Sequence, residues 1–140
     1  MPLTRLNPDP ATTYATQLDA DHTGPIVLLN IFVMPSGRID EAIAVWQKAA
    51  GIIKQKPGFI STQLHHAVGG ANVVVDCAVW ESIGALKAGT AAPEFRALID
   101  GFPEGTTNMP CVLRKIAVPN PGSSREELKN FRISDDDQAE

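Results

Sequence analysis

Only two cysteines occur in this chain, Cys77 and Cys111, and each stands among apolar residues. Two isolated thiols make no disulfide framework and behave as small buried hydrophobes. Basic residues are also in short supply: 12 Lys and Arg face 16 Asp and Glu, for a net charge of -4. With no basic stripe to release counterions from a phosphate backbone, nucleic acid is not expected as a partner. Long hydrophobic runs are missing too. The longest, Ile26 to Met34, is interrupted by Asn30 and falls far short of the ~20 residues that span a bilayer. Arg5 near the N-terminus is followed by no apolar stretch, so a secretory signal is not expected. Together these features make the cytoplasm the expected compartment, without membrane association. No Ser/His/Asp order, P-loop, GxGxxG or HExxH is present, which removes the commonest hydrolase, nucleotide and zinc-protease signatures.

What is there is an ordinary globular composition, 44% apolar and 20% charged over 140 residues, most simply one domain. Residues 1–24 carry Pro2, Pro8 and Pro10 without periodicity and read as an extended arm packed on the domain or a partner, rather than as an element. Pro25 to Val33 is an apolar strand. Ile39, Ile43, Trp46, Ala50 and Ile53 then form one stripe of an amphipathic helix, with Asp40 and Glu41 at its positive end. After the Pro57-Gly58 break, Phe59 to Val68 reads as a second strand. Gly69-Gly70 marks a hairpin into a third, Val73 to Trp80. Ser82 stands where a helix N-cap is wanted, and the helical region that follows is broken by Gly89 and restarted at Pro93. Residues 101–110 read as a loop, and Cys111 to Val118 as the last strand. Residues 119–140 form a tail, in which Ser123-Ser124-Arg125-Glu126-Glu127 offers overlapping capping boxes for a short helix.

The order within residues 25–118 is βαββαβ, an α+β, ferredoxin-like pattern with a four-stranded antiparallel sheet. Both helices would cover one face of that sheet. Its other face, with Val73, Val75, Cys77 and Val79, is apolar as well and needs a second cover. The economical cover is another copy of the chain, so a homodimer is expected.

The segments Asn30 to Gly37, Pro57-Gly58-Phe59, Val79-Trp80-Glu81-Ser82 and Pro93-Glu94-Phe95-Arg96 together resemble the antibiotic biosynthesis monooxygenase (ABM) domain family. The resemblance implies a dimeric α+β barrel. It also implies one of several activities: cofactor-independent oxygenation of polycyclic phenols, quinol oxidation, haem degradation, or binding without known chemistry. Asn30 matches a first-strand asparagine whose amide reaches the cavity between sheet and helices in some members, and Trp80 matches a strand-end tryptophan. Haem-degrading members carry a tryptophan and a ligating histidine in the second helical region. Here those positions read Gly89 and Ile99, so that helix supplies no axial ligand and no haem is expected. Quinol-oxidising members often place a histidine after the helical proline, where this chain has Glu94.

A polar amide amid Leu28, Leu29, Ile31 and Phe32 must be hydrogen-bonded, either to backbone groups or to a ligand. Trp80 is core or cavity wall. His65 and His66 are adjacent on a strand, so only one can face a given cavity. Neither has a carboxylate at ligand spacing, and no metal site is expected. Asp76, in an otherwise apolar strand, is edge-exposed, paired with Arg114 or a histidine, or part of a site. His22 in the arm reads as solvated.

Two functions stay open. The first is a cofactor-free monooxygenase of an electron-rich aromatic, a polyphenol or hydroquinone. There Asn30 is the anchor, His65 or His66 the base, and Phe32, Asp76, Trp80 and Arg96 line the substrate. The second is a non-catalytic dimeric domain that binds a small hydrophobic or aromatic ligand or supports a pathway partner.

Overall fold

The computed structural model describes residues 3–117. It contains a sheet of five strands in the spatial order β1-β5-β2-β4-β3, with four helices. The elements are β1 (Leu3–Arg5), α1 (Tyr14–Leu18), β2 (Ile26–Val33), α2 (Ile39–Ile53), β3 (Phe59–His66), β4 (Val73–Trp80), α3 (Ile83–Thr90), α4 (Pro93–Ile99) and β5 (Thr106–Leu113). The βαββαβ core is as the sequence pattern implies. The sheet is mixed, however, with five strands rather than four antiparallel ones, because β1 adds to the edge of β5 in parallel. The arm therefore does form elements, a three-residue strand and a short helix capped by Thr13.

Three further boundaries differ from the sequence pattern. The last strand begins at Thr106, not Cys111, and ends at Leu113. Gly105, at φ 89°, turns the chain, and the β-branched Thr106 and Thr107 then pair with both β1 and β2. Pro110 sits within this strand without penalty. The backbone of Asn108 faces β1, where its carbonyl accepts from Leu6 N at 2.8 Å, so alternation turns the Pro110 nitrogen to the same side, beyond the end of β1. Gly89 does not break the second helical region. It lies inside α3, and the break comes at Ala91-Ala92, before Pro93 opens α4. The second strand ends at His66 rather than Val68. The capping boxes of residues 123–127 lie outside the described residues.

Local chemistry explains the elements that were foreseen. Ser82 Oγ accepts from Ala85 N at 3.0 Å, the N-cap bond of α3. Gly69 and Gly70 both have positive φ, as the hairpin requires. The edge of β5 is closed by an unforeseen device. The Gln17 amide of α1 donates to Val112 O and accepts from Val112 N, both at 2.9 Å, and so stands in for one rung of a neighbouring strand.

One face of the sheet carries the helices and two apolar clusters. The first gathers Tyr14, Ile26, Leu28, Ile53, Ala78, Trp80, Ile83 and Leu86. The second gathers Phe32, Met34, Ala42, Val74 and Phe102, with Ile39, Ile43, Trp46 and Ile99 packed against it. The opposite face presents Val27, Leu29, Ile31, Val73, Val75, Cys77, Val79, Met109 and Cys111, by the alternation of the paired registers. Among the described residues, no helix is long and apolar enough to cross a membrane.

Candidate active site

The two apolar clusters are separated by a polar rung. Along β2 and β4 the helix-side pairs run Ile26 with Trp80, Leu28 with Ala78, Asn30 with Asp76, and Phe32 with Val74. The third pair alone in that series is polar. It continues across the sheet to Leu64 on one side and Pro110 on the other. An amide facing a carboxylate across a core strand pair costs desolvation unless both are hydrogen-bonded. Partners are supplied from three other elements. Thr62 Oγ1 of β3 donates to Asp76 Oδ1. The indole N–H of Trp46, on α2, also favours the Asp76 carboxylate. Asn108 Nδ2 of β5 donates to Asn30 Oδ1 at 3.3 Å.

Burial pushes the Asp76 carboxyl above the usual carboxylate range, and the Thr62 and Trp46 donors and the charge of His65 only partly offset it. A carboxyl so placed keeps more affinity for a proton than an exposed aspartate. It is the one described Asp or Glu held this way, since the other shifted carboxyls, Glu41 and Glu94, are lowered by surface pairing with Arg38 and Lys56.

The structure brings some of the sequence candidates together and separates others. Asn30 and Asp76 are cross-strand partners, and Phe32 lies on the next helix-side pair, stacked on Phe102 with ring centroids 5.0 Å apart. Trp80 sits two helix-side pairs away from the rung, 1% exposed, edge-on to Phe59 and at the heart of the first cluster. His65 pairs with Val75, so alternation turns its side chain to the face away from the helices. His66 is exposed at the β3 edge, its Nε2 2.9 Å from Ala71 O across the hairpin. Arg96 is exposed on α4. Leu113 pairs with Val27, so Arg114 lies toward the Ile26 end of the sheet, away from Asp76.

Three members of the rung escaped the sequence reading. Thr62 and Trp46 carry an alternation or stripe signal but nothing that names Asp76 as their partner. Asn108 lay in what read as a loop, and only the β-branched Thr106-Thr107 pair before it hints at a strand.

A separate open groove of about 790 Å³ lies under the arm, lined by Thr12, Gln17, Asp19, His22, Ile83 and Arg114 among others. Much of its polar lining is already engaged: Asp19 with Lys87 at 2.8 Å, Gln17 with the Val112 backbone, and His22 near Pro25 O at 3.3 Å. It is poorly suited to be the chemical centre.

An α+β domain with a ferredoxin-like core and a polar rung on the helix-covered face of its sheet is the class these observations define. The sequence profile of the family named Antibiotic biosynthesis monooxygenase matches residues 25–101, and the chain belongs to that family. Among solved structures it is similar to SnoaB, a cofactor-independent oxygenase from Streptomyces nogalater. The two are 20% identical with a TM-score of 0.64, over 70% of this chain and 99% of that one. It is also similar to a protein of Shewanella loihica PV-4 provisionally described as a monooxygenase, at 25% identity and a TM-score of 0.57, over 69% of this chain and 98% of that one. A Caulobacter crescentus CB15 protein, provisionally described as an antibiotic biosynthesis monooxygenase, matches at 18% identity and a TM-score of 0.62, over 67% of this chain and 92% of that one. No curated protein sequence matches the chain.

Proposed function

We propose that this chain is a cofactor-independent monooxygenase acting on an electron-rich aromatic, a polyphenol or hydroquinone, held against the Asn30–Asp76 rung between sheet and helices. The observation that carries the reading is the pairing of Asp76, a carboxyl with a raised pKa, with the Asn30 amide across the helix-covered face. Membership of the family and the likeness to a cofactor-independent oxygenase support it.

The chemistry asks little of the protein. Asp76 accepts a proton from the substrate, and its raised pKa makes it a better acceptor than an ordinary aspartate. The resulting anion is electron-rich enough to pass one electron to dioxygen. Recombination of the radical pair forms a C–O bond, the peroxide anion takes back the proton from Asp76, and water leaves with the distal oxygen, that proton and the hydrogen on the same carbon, so that a carbonyl remains. The Asn30 amide holds the anionic oxygen, and the apolar clusters on either side keep water out. In this reading Asp76 takes the role of base; His65, on the other face, only helps to set its charge.

The apolar face opposite the helices, which no described helix covers, supports a homodimer in which two sheets pack face to face, completing the dimeric barrel. Sedimentation at micromolar concentration should give about twice the chain mass, and a stable monomer would remove that part of the reading.

The decisive experiment is an oxygen electrode and a panel of hydroquinones and anthrones, with Asp76→Asn beside the wild type. Substrate-dependent oxygen uptake that falls at least ~100-fold in the variant supports the proposal, as expected for loss of a general base. Binding of the panel without oxygen uptake by the wild type would favour a non-catalytic ligand-binding domain.

A further inference from the structure

The polar rung holds one group that no described residue satisfies. Asn108 is 4% exposed, and its Oδ1 is the single buried side-chain acceptor without a partner among the described residues. Its Nδ2 donates to Asn30 Oδ1. Asn108 belongs to β5, beyond residue 101 where the family match ends. Its cross-strand neighbour is Phe32, itself stacked on Phe102, so the surroundings would suit an apolar side chain.

Two amides that share one hydrogen bond keep an unused carbonyl on one and an unused NH2 on the other. Here the unused acceptor is Asn108 Oδ1, and the unused donor is Asn30 Nδ2. An orphaned acceptor in a core is uncommon and costs stability, so an amide kept at an apolar position points to a partner that arrives from outside. Asn30 already faces the helices as the proposed anchor. Its bond to Asn108 puts the orphaned oxygen at the same site.

We propose that Asn108 is a specificity-determining residue that accepts a hydrogen bond from a hydroxyl of the aromatic ligand, while Asn30 Nδ2 donates to a neighbouring ligand oxygen. This rests on the reading of the Asn30 rung as the ligand site. It adds a requirement that reading does not make: the ligand must carry a free O–H at this position, and its O-methyl ether must bind less well. A buried water is the competing occupant. It would satisfy Asn108 whatever the ligand and would create no such preference.

The test is isothermal titration of the full chain with 1-naphthol and with 1-methoxynaphthalene, which differ at the hydroxyl. The wild type should bind 1-naphthol about tenfold more tightly, the discrimination one hydrogen bond provides. Asn108→Leu should abolish that preference, so that the two probes bind alike; because it removes both the unpaired Oδ1 and the Nδ2 donor to Asn30 Oδ1, a thermal melt beside the titration establishes that the variant is folded. If leucine disturbs the packing on Phe32, Asn108→Ser, too short to reach the same hydroxyl, must show the same loss. A preference that survives in a folded variant overturns the proposal, as does a wild type that binds both probes equally, the outcome expected with a resident water. Equal binding leaves the ligand-site reading standing. A wild type that binds neither probe removes both.

Discussion

Replacing Gly89 by alanine should destabilise this protein, although helix propensity alone predicts the opposite. Gly89 lies within α3, where alanine is favoured over glycine by ~1 kcal/mol. A Cβ at this position would lie 2.6 Å from Trp80 Cη2, 2.9 Å from Trp80 Cζ3 and 3.3 Å from Lys56 Cβ, against ordinary contacts of 3.4–4 Å. The indole has nowhere to go. Trp80 is 1% exposed and packs edge-on against Phe59, with ring centroids 5.4 Å apart. Overpacking a filled core costs ~1–3 kcal/mol and sometimes more. Against the ~1 kcal/mol propensity gain, a net loss of up to about 2 kcal/mol remains, or a fall in Tm of up to ~8 °C for a domain of this size. Gly84→Ala in the same helix is the control. Gly84 is exposed and a Cβ there meets only Ser82 Oγ at 3.8 Å, so that change should raise Tm slightly. Thermal unfolding followed by circular dichroism reads both. A Gly89→Ala protein as stable as Gly84→Ala would refute the claim that glycine is kept at position 89 to seat the tryptophan.

Three further outcomes are expected. Folding raises the Asp76 pKa, so the folded state holds the proton more tightly than the unfolded one, and stability falls as pH rises from the ordinary carboxylate range through the raised value; Asp76→Asn should flatten that part of a Tm–pH profile and raise Tm at neutral pH while abolishing oxygen uptake. Asn30→Ala strands the buried Asn108 Nδ2 beside its already unpaired Oδ1, which should cost ~1–3 kcal/mol in a denaturant melt; full oxygen uptake by that variant would remove Asn30 as the anchor. Gln17→Leu deprives the Val112 N–H and C=O of their partners and should cost ~1–3 kcal/mol, with faster hydrogen exchange at Val112 as its local signature.

The elements that were legible in the sequence are those specified by neighbours along the chain. The stripe of α2, the β-branched run of β4, the Ser82 cap and the Gly69-Gly70 turn each depend on residues a few positions apart, and each stands where the pattern puts it. The errors fall where long-range pairing decides. Thr106 to Asn108 sit between Pro103, Gly105 and Pro110, punctuation that reads as a loop, and they become a strand because β1 and β2 pair on either side. Leu3 to Arg5 have no local reason to be extended, and the exposed edge of β5 supplies one.

The candidate site divides in the same way. Asn30 and Asp76 stand out in the sequence because a polar side chain in an apolar strand is visible one residue at a time. Their company is not visible. Thr62, Trp46 and Asn108 come from β3, α2 and β5 and meet Asn30 and Asp76 only through packing. Which histidine faces the helices turns on a register irregularity between Phe59 and Ser61, after which Thr62, Leu64 and His66 lie on the helix side and His65 does not. Local periodicity carries the order of strands and helices, because propensity, capping and turn chemistry act over a few residues. The fifth strand, the facing of each side chain and the five-residue polar rung depend on register between distant segments, which the tertiary structure alone decided.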